Sequence, residues 1–162
     1  MLGNHLFRGQ PVSPYRELAD TAKISGGKSV SAVNRIGADE LKSFGTIAGR
    51  RAENPRLIDV SLIIEKPAVA VAREKLRVDG LPAGTWLGGF GMHLLAPSIY
   101  DVLEEMIRDD VRDHGEFQLT RAQEIQRRRE GYLALEMTGA ERFDFGVPDD
   151  FVRSLRAFRG AS

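Results

Sequence analysis

The stretch Leu57-Ile-Asp-Val-Ser-Leu-Ile-Ile-Glu-Lys-Pro67 constrains this chain more than any other. Branched aliphatics at Ile58, Val60, Ile63 and Ile64 favour an extended, packed backbone, so the spacing predicts a buried strand. Pro67 cannot donate to a ladder and ends the strand, and it biases Lys66 toward an extended conformation. One acid and one base, Glu65 and Lys66, are thereby held at the carboxyl end of a rigid strand. Open α/β sheets bind their ligands at such ends.

Around this strand the pattern alternates between periods. Pro14 to Ser25 suits a helix with Ser13 as N-cap and Gly26-Gly27 as terminator. Ser29 to Ile36 alternates as a strand, and Phe44 to Ala48 returns as another. Thr85 to Leu95 is a glycine-rich strand, in which glycine marks a bulge or close backbone approach. Ser98 to Arg108 is the clearest helix, with Ile99, Val102, Leu103, Met106 and Ile107 on one face. Thr120 to Glu130 is a further helix burying Ala122 and Ile125, with Arg127-Arg-Arg129 as a solvated face. Tyr132 to Met137 is a strand, Arg142 to Gly146 follows, and a last helix from Pro148 turns Phe151, Leu155 and Phe158 inward. The expected architecture is a single three-layer αβα domain over 1–162, with a mixed, mostly parallel sheet and an antiparallel extension around Phe44 to Glu65.

Composition removes several classes of function. The chain of 162 residues carries 23 Lys plus Arg against 23 Asp plus Glu, so no basic field points to nucleic acid. Without cysteine there is no disulfide, thiolate zinc site or thiol catalysis. No apolar run approaches a membrane span and no signal peptide is seen, so a cytoplasmic protein without membrane partners is expected. His5, His93 and His114 show no metal-ligand spacing; His93 reads as a core or wall residue and His114 as a loop residue. Neither a GxGxxG cradle nor a GxxxxGK[ST] loop occurs.

Two positions remain as candidates for chemistry. A phosphate about 4 Å from the Lys66 ammonium gains roughly 4 kcal/mol at an effective dielectric of 20, before desolvation. Glu65 could accept from sugar hydroxyls or simply pair with a neighbouring Arg or Lys. Asp144, between Phe143 and Phe145 and before Gly146, is a candidate magnesium ligand, because Mg²⁺ takes one or two carboxylates plus substrate phosphates. A turn or helix-capping role is the alternative.

Taken together and in order, the motifs resemble those of the bacterial UTP–glucose-1-phosphate uridylyltransferases, within the sugar nucleotidyltransferases. Glu65-Lys66-Pro67 is similar to that family's Glu-Lys-Pro motif, and Lys42-Ser-Phe-Gly45-Thr-Ile to the aromatic-glycine strand before it. Gly91-Met-His-Leu-Leu-Ala-Pro97-Ser-Ile99-Tyr100 resembles the strand-into-helix segment. Gly115-Glu-Phe-Gln118-Leu119-Thr120 is similar to the Gly-acid-x-Gln-Leu-Thr signature, and Phe143-Asp144-Phe145-Gly146 to the late Asp-x-Gly motif.

The resemblance implies a nucleotidyl transfer in which glucose 1-phosphate attacks the α-phosphorus of UTP, giving UDP-glucose and pyrophosphate, with Mg²⁺ as cofactor. It assigns Lys66 to the sugar phosphate, Glu65 to the sugar hydroxyls, Gly45 to the sugar and Asp144 to the metal. Asn4 stands where the family has a second metal-binding aspartate. The family's Gly-rich nucleotide loop has no counterpart here. The expectation is a domain truncated on its N-terminal side that binds glucose 1-phosphate or UDP-glucose, uses UTP only if the missing segment is supplied, and is inactive alone. Alternatives are a non-catalytic sugar-phosphate-binding fragment or degenerate subunit, or a transferase for another base or sugar. Uncovered sheet edges and apolar surface would then favour a homo-oligomer.

Overall fold

A computed structural model describes residues 5–9, 11–113, 115–144 and 148–159. Strand β1 (His5–Gly9) is followed by helix α1 (Pro14–Lys23), β2 (Val30–Ile36), a 3₁₀ turn (Leu41–Ser43), β3 (Thr46–Arg51) and β4 (Leu57–Ile64). Then come α2 (Val69–Lys75), β5 (Trp86–Leu94), α3 (Ser98–Arg108), α4 (Leu119–Glu130), β6 (Leu133–Glu136), β7 (Ala140–Asp144) and α5 (Pro148–Arg159). Local chemistry accounts for several boundaries. The Ser13 hydroxyl accepts from the Arg16 N–H and Pro14 opens α1, while Gly26 and Gly27 take the positive φ values that end the segment.

The fold is mixed α/β. Strands β2, β5, β3, β4 and β6 pair in a ring, and β1 pairs with β7 in a separate antiparallel ribbon. Within the ring only β2–β6 runs parallel. The sheet is therefore mixed but mostly antiparallel, because the β3–β4 hairpin and the reversals into β5 outnumber the single crossover. Each ring strand has two neighbours, although β3 and β5 share only the pairs Thr46↔Gly88 and Ile47↔Leu87.

Alternation along the strands divides the core between two faces. Leu133 and Leu135 join Val30, Ala32, Phe90 and Leu18 of α1, whereas Tyr132 and Ala134 pack with Val33, Ile58, Val60 and Leu87. Helix α4 lies against β4, and α3 packs on α4 through Ile99, Val102, Met106 and Ala122. The β5 glycines serve close approach, since a Cβ on Gly88 would lie 2.6 Å from the Ile36 side chain.

Three expectations need correction. Strand β4 is half-buried rather than buried, with Asp59 and Ser61 exposed between Ile58, Val60 and Ile63. Phe151 and Leu155 of α5 are exposed, and it is Ser154 that is buried; Phe158 lies outside the described side chains. Of the arginine run, Arg128 and Arg129 are exposed as expected but Arg127 is largely buried; Arg127 and Arg128 pair with Glu124 and Arg129 with Glu105.

Candidate functional site

The carboxyl end of β4 opens into a cavity of about 1150 Å³ whose walls include Gly45, Glu65, Lys66, His93, Thr120 and Arg142. The structure thus places Glu65 and Lys66 of the strand end in one cavity with Gly45. Its lining includes further acids, Asp39, Glu40 and Glu141.

Glu65 is fixed by a neighbour that the spacing of residues in the chain does not reveal. The Thr120 hydroxyl, at the first turn of α4, donates to Glu65 Oε2 at 2.6 Å. The Lys66 ammonium stands 3.9 Å from Glu65 Oε1, too far for a hydrogen bond. Glu65 is therefore not held by a tight ion pair: one oxygen is anchored, and the side chain is largely buried. Lys66 by contrast is half exposed and makes no closer ion pair among the described residues.

Lys66 is not extended. Its φ is +44°, one of two positive values among the described non-glycine residues, and its N–H donates to the Phe44 carbonyl at 3.3 Å. Pro67 disfavours the right-handed helical region for the residue before it. The chain must nevertheless reverse from β4 toward α2 while that hydrogen bond is kept, and the left-handed region satisfies both demands. Such a backbone costs on the order of 1–2 kcal/mol for a residue with a Cβ.

Gly45 is required by proximity. A Cβ there would sit 3.0 Å from Glu65 Oε2 and 3.2 Å from the Thr120 side chain. Its carbonyl accepts from the Gly89 N–H at 2.8 Å, tying the start of β3 to β5. Beside it, the Arg142 guanidinium stacks 4.1 Å from the Phe44 ring centroid and donates to the Gly89 carbonyl at 3.0 Å.

The floor is polar and built from four segments. Ser31 and His93 face each other across β2 and β5. The Ser31 hydroxyl lies 2.7 Å from His93 Nδ1 and 2.6 Å from the Tyr132 hydroxyl, and Gln123 Nε2 lies 3.0 Å from the same Nδ1. Burial lowers the His93 pKa from 6.5 to about 4, and burial likewise raises the Tyr132 phenol above its ordinary value. His93 is thus a wall residue, as its sequence setting suggests. Thr120, Gln123, Ser31, Tyr132 and Arg142 were not assigned roles from the sequence. Only the Gln-Leu-Thr run signalled any of them, because the other pairings span 30 to 101 residues.

Asp144 ends β7 opposite His5, next to Arg142 and Phe143 of the cavity wall. Its side chain, like Asn4 and His114, lies outside the described residues. Among the described residues no group of three or more His, Cys, Asp or Glu could hold a metal ion. No helix among them is long and apolar enough to cross a membrane.

No family model matches the chain. A mannose-1-phosphate guanyltransferase from Debaryomyces hansenii is 33% identical over 91 residues, 56% of this chain and 20% of that protein. A UDP-glucose pyrophosphorylase solved with UDP-glucose superposes with a TM-score of 0.78 at 20% identity, over 100% of this chain and 56% of that one. A UTP-bound UGPase from Acinetobacter baumannii superposes at 0.71 with 19% identity, over 98% and 49%. The chain spans about half the length of these solved structures and a fifth of the curated relative. It therefore has the fold of the sugar nucleotidyltransferases, as the UDP-glucose pyrophosphorylases display it.

Proposed function

We propose that this chain supplies the sugar-phosphate half of a UTP–glucose-1-phosphate uridylyltransferase. The observation that carries the reading is the joining of a half-exposed Lys66 ammonium to a Glu65 carboxylate anchored by Thr120, in one large cavity. A hexose 1-phosphate needs one cation for its phosphate and oriented acceptors for its hydroxyls. Lys66 meets the first need and Glu65 the second, while Gly45 keeps the wall thin enough for a sugar ring to approach. The relatives' names support the same class, since they speak of UDP-glucose, UTP and mannose 1-phosphate.

The residues act by positioning. Thr120 occupies one Glu65 oxygen and leaves the other facing Lys66, so the carboxylate accepts from a hydroxyl without rotating away. Lys66 draws the sugar phosphate to the strand end and offsets its charge as it approaches the nucleotide's α-phosphorus. Asp144, at the end of β7 beside the cavity wall, is the residue that would hold Mg²⁺. One carboxylate suffices chemically, because substrate phosphates complete such a site. When bound, the ion would offset charge on the phosphates.

Calorimetry tests the reading. Glucose 1-phosphate should bind the wild-type chain, and Lys66→Ala should weaken it by about 10- to 100-fold, or ~1.4–2.7 kcal/mol. Absence of heat with the wild type, or the same affinity in the variant, would sink it. The sequence has no Gly-rich phosphate loop, so pyrophosphate release from UTP and glucose 1-phosphate by the 162-residue chain alone should stay at background.

A further inference from the structure

The polar floor of the cavity contains more hydrogen-bonding order than packing requires. His93 Nδ1 lies within hydrogen-bonding distance of both the Gln123 amide nitrogen and the Ser31 hydroxyl, and that hydroxyl also meets Tyr132. An amide nitrogen only donates, so Nδ1 accepts. The three groups then align in one direction: Tyr132 O–H donates to Ser31, and Ser31 O–H donates to Nδ1, whose single lone pair it shares with the Gln123 N–H. A ring nitrogen that accepts cannot carry the proton of the neutral imidazole, which is left on Nε2.

Nε2 itself is open. No described residue bonds it, and among the described residues it is not one of the buried side-chain atoms without a partner, Asn34 Oδ1 and Arg121 Nε. His93 lines the same cavity as Gly45, Glu65 and Lys66. We propose that Gln123, with Ser31 and Tyr132 behind it, is a positioning residue that locks His93 as the neutral Nε2–H tautomer, so that the cavity floor carries a fixed hydrogen-bond donor for a hydroxyl of the bound sugar phosphate.

The ligand half of this inference rests on the sugar-phosphate reading, and the tautomer half does not. Glu65 accepts and His93 donates, so a hydroxyl would meet complementary partners on two walls. The low pKa of the imidazole agrees with a ring that stays neutral. Its hydrogen-bonding partners among the described residues, Ser31 and Gln123, are uncharged, so neither favours imidazolium.

Nitrogen-15 spectra of histidine-labelled full chain at neutral pH provide the test. The wild type should show His93 with Nε2 protonated and Nδ1 bare. Gln123→Glu, which can only accept at that point, should place a proton on Nδ1. Titration with glucose 1-phosphate should move the His93 Nε2–H resonance, inorganic phosphate should not, and His93→Phe should bind glucose 1-phosphate about 5- to 10-fold more weakly. An Nδ1–H tautomer in the wild type overturns the lock, and this measurement stands even if a variant does not fold. An Nε2–H signal indifferent to glucose 1-phosphate, while that ligand binds, overturns the donor role. Failure of glucose 1-phosphate to bind the wild type overturns the sugar-phosphate reading and the donor role with it, leaving the tautomer to be decided by the spectra alone.

Discussion

Lys66 carries two separable properties, a left-handed backbone and an ammonium group. Lys66→Gly removes both the charge and the steric cost of φ +44°. It should therefore raise thermal stability by up to about 1 kcal/mol while weakening glucose 1-phosphate as Lys66→Ala does. A calorimetric melt beside a binding titration checks the pair; a less stable Lys66→Gly would show that the turn does not strain this residue. Gly45 offers the converse case. A Cβ 3.0 Å from Glu65 Oε2 forces that carboxylate or Thr120 to give way, so Gly45→Ala should weaken sugar-phosphate binding several-fold with about 1 kcal/mol lost in stability. His93 adds a dependence on pH. Its folded pKa, near 4, lies below the unfolded value of 6.5. Between these values the unfolded chain binds more protons, so stability is full above pH 6.5 and falls as the pH drops toward 4, by up to roughly 3 kcal/mol. Denaturant midpoints measured from pH 7 to 4 should fall less steeply in His93→Phe than in the wild type.

Helix α4 organises the site at the level of elements. Thr120, Gln123 and Glu124 follow the i, i+3, i+4 spacing and reach Glu65, His93 and the Ile63 N–H from one face. This inner face is polar, with Gln123, Glu124 and Gln126 buried beside Ala122. Apolar periodicity finds such a helix but cannot say which polar residues turn inward, so Ala122 was legible and Gln123 and Glu124 were not. Strand β4 was legible because its branched aliphatics and Pro67 act locally. The conformation of Lys66 was not, because it depends on a hydrogen bond to Phe44 that lies 22 positions away. Burial alone would raise the Glu124 carboxyl, yet hydrogen bonds from Arg127, Arg128 and the Ile63 N–H hold it below its ordinary value. Glu124→Ala strands the part-buried Arg127 and leaves that N–H unpaired, so it should cost about 2–4 kcal/mol by denaturant unfolding. A loss under 1 kcal/mol would mean that α4 does not anchor β4 through this carboxylate.

Across the whole molecule the two sheets differ in how they are held. Ring strands are braced on both sides, and Glu136 of β6 adds ion pairs to Arg35 of β2 and Arg51 of β3. Among the described residues β1 and β7 form ladders only with each other; Phe7 joins the ribbon to the body by packing 5.1 Å from Phe90 and edge-on to Tyr15 at 5.8 Å, and Arg142 by its bond to the Gly89 carbonyl. Topology of this kind was illegible in the sequence, since the paired residues of β1 and β7 lie far apart in the chain, from Gly9↔Ala140 to His5↔Asp144. The ribbon should therefore open independently of the ring. Removing the Phe7 ring loses apolar contact with Phe90 without touching any ring hydrogen bond, so Phe7→Ala should speed amide exchange in β1 and β7 by ten-fold or more, an effect of about 1.4 kcal/mol or larger. Protection of β2, β3 and β4 should stay within about two-fold of the wild type. Because β7 carries Arg142, which packs on Phe44 beside Gly45, the same variant should also weaken glucose 1-phosphate. Uniform loss of protection across both sheets would instead show that ribbon and ring unfold as one unit, and that Phe7 belongs to the common core.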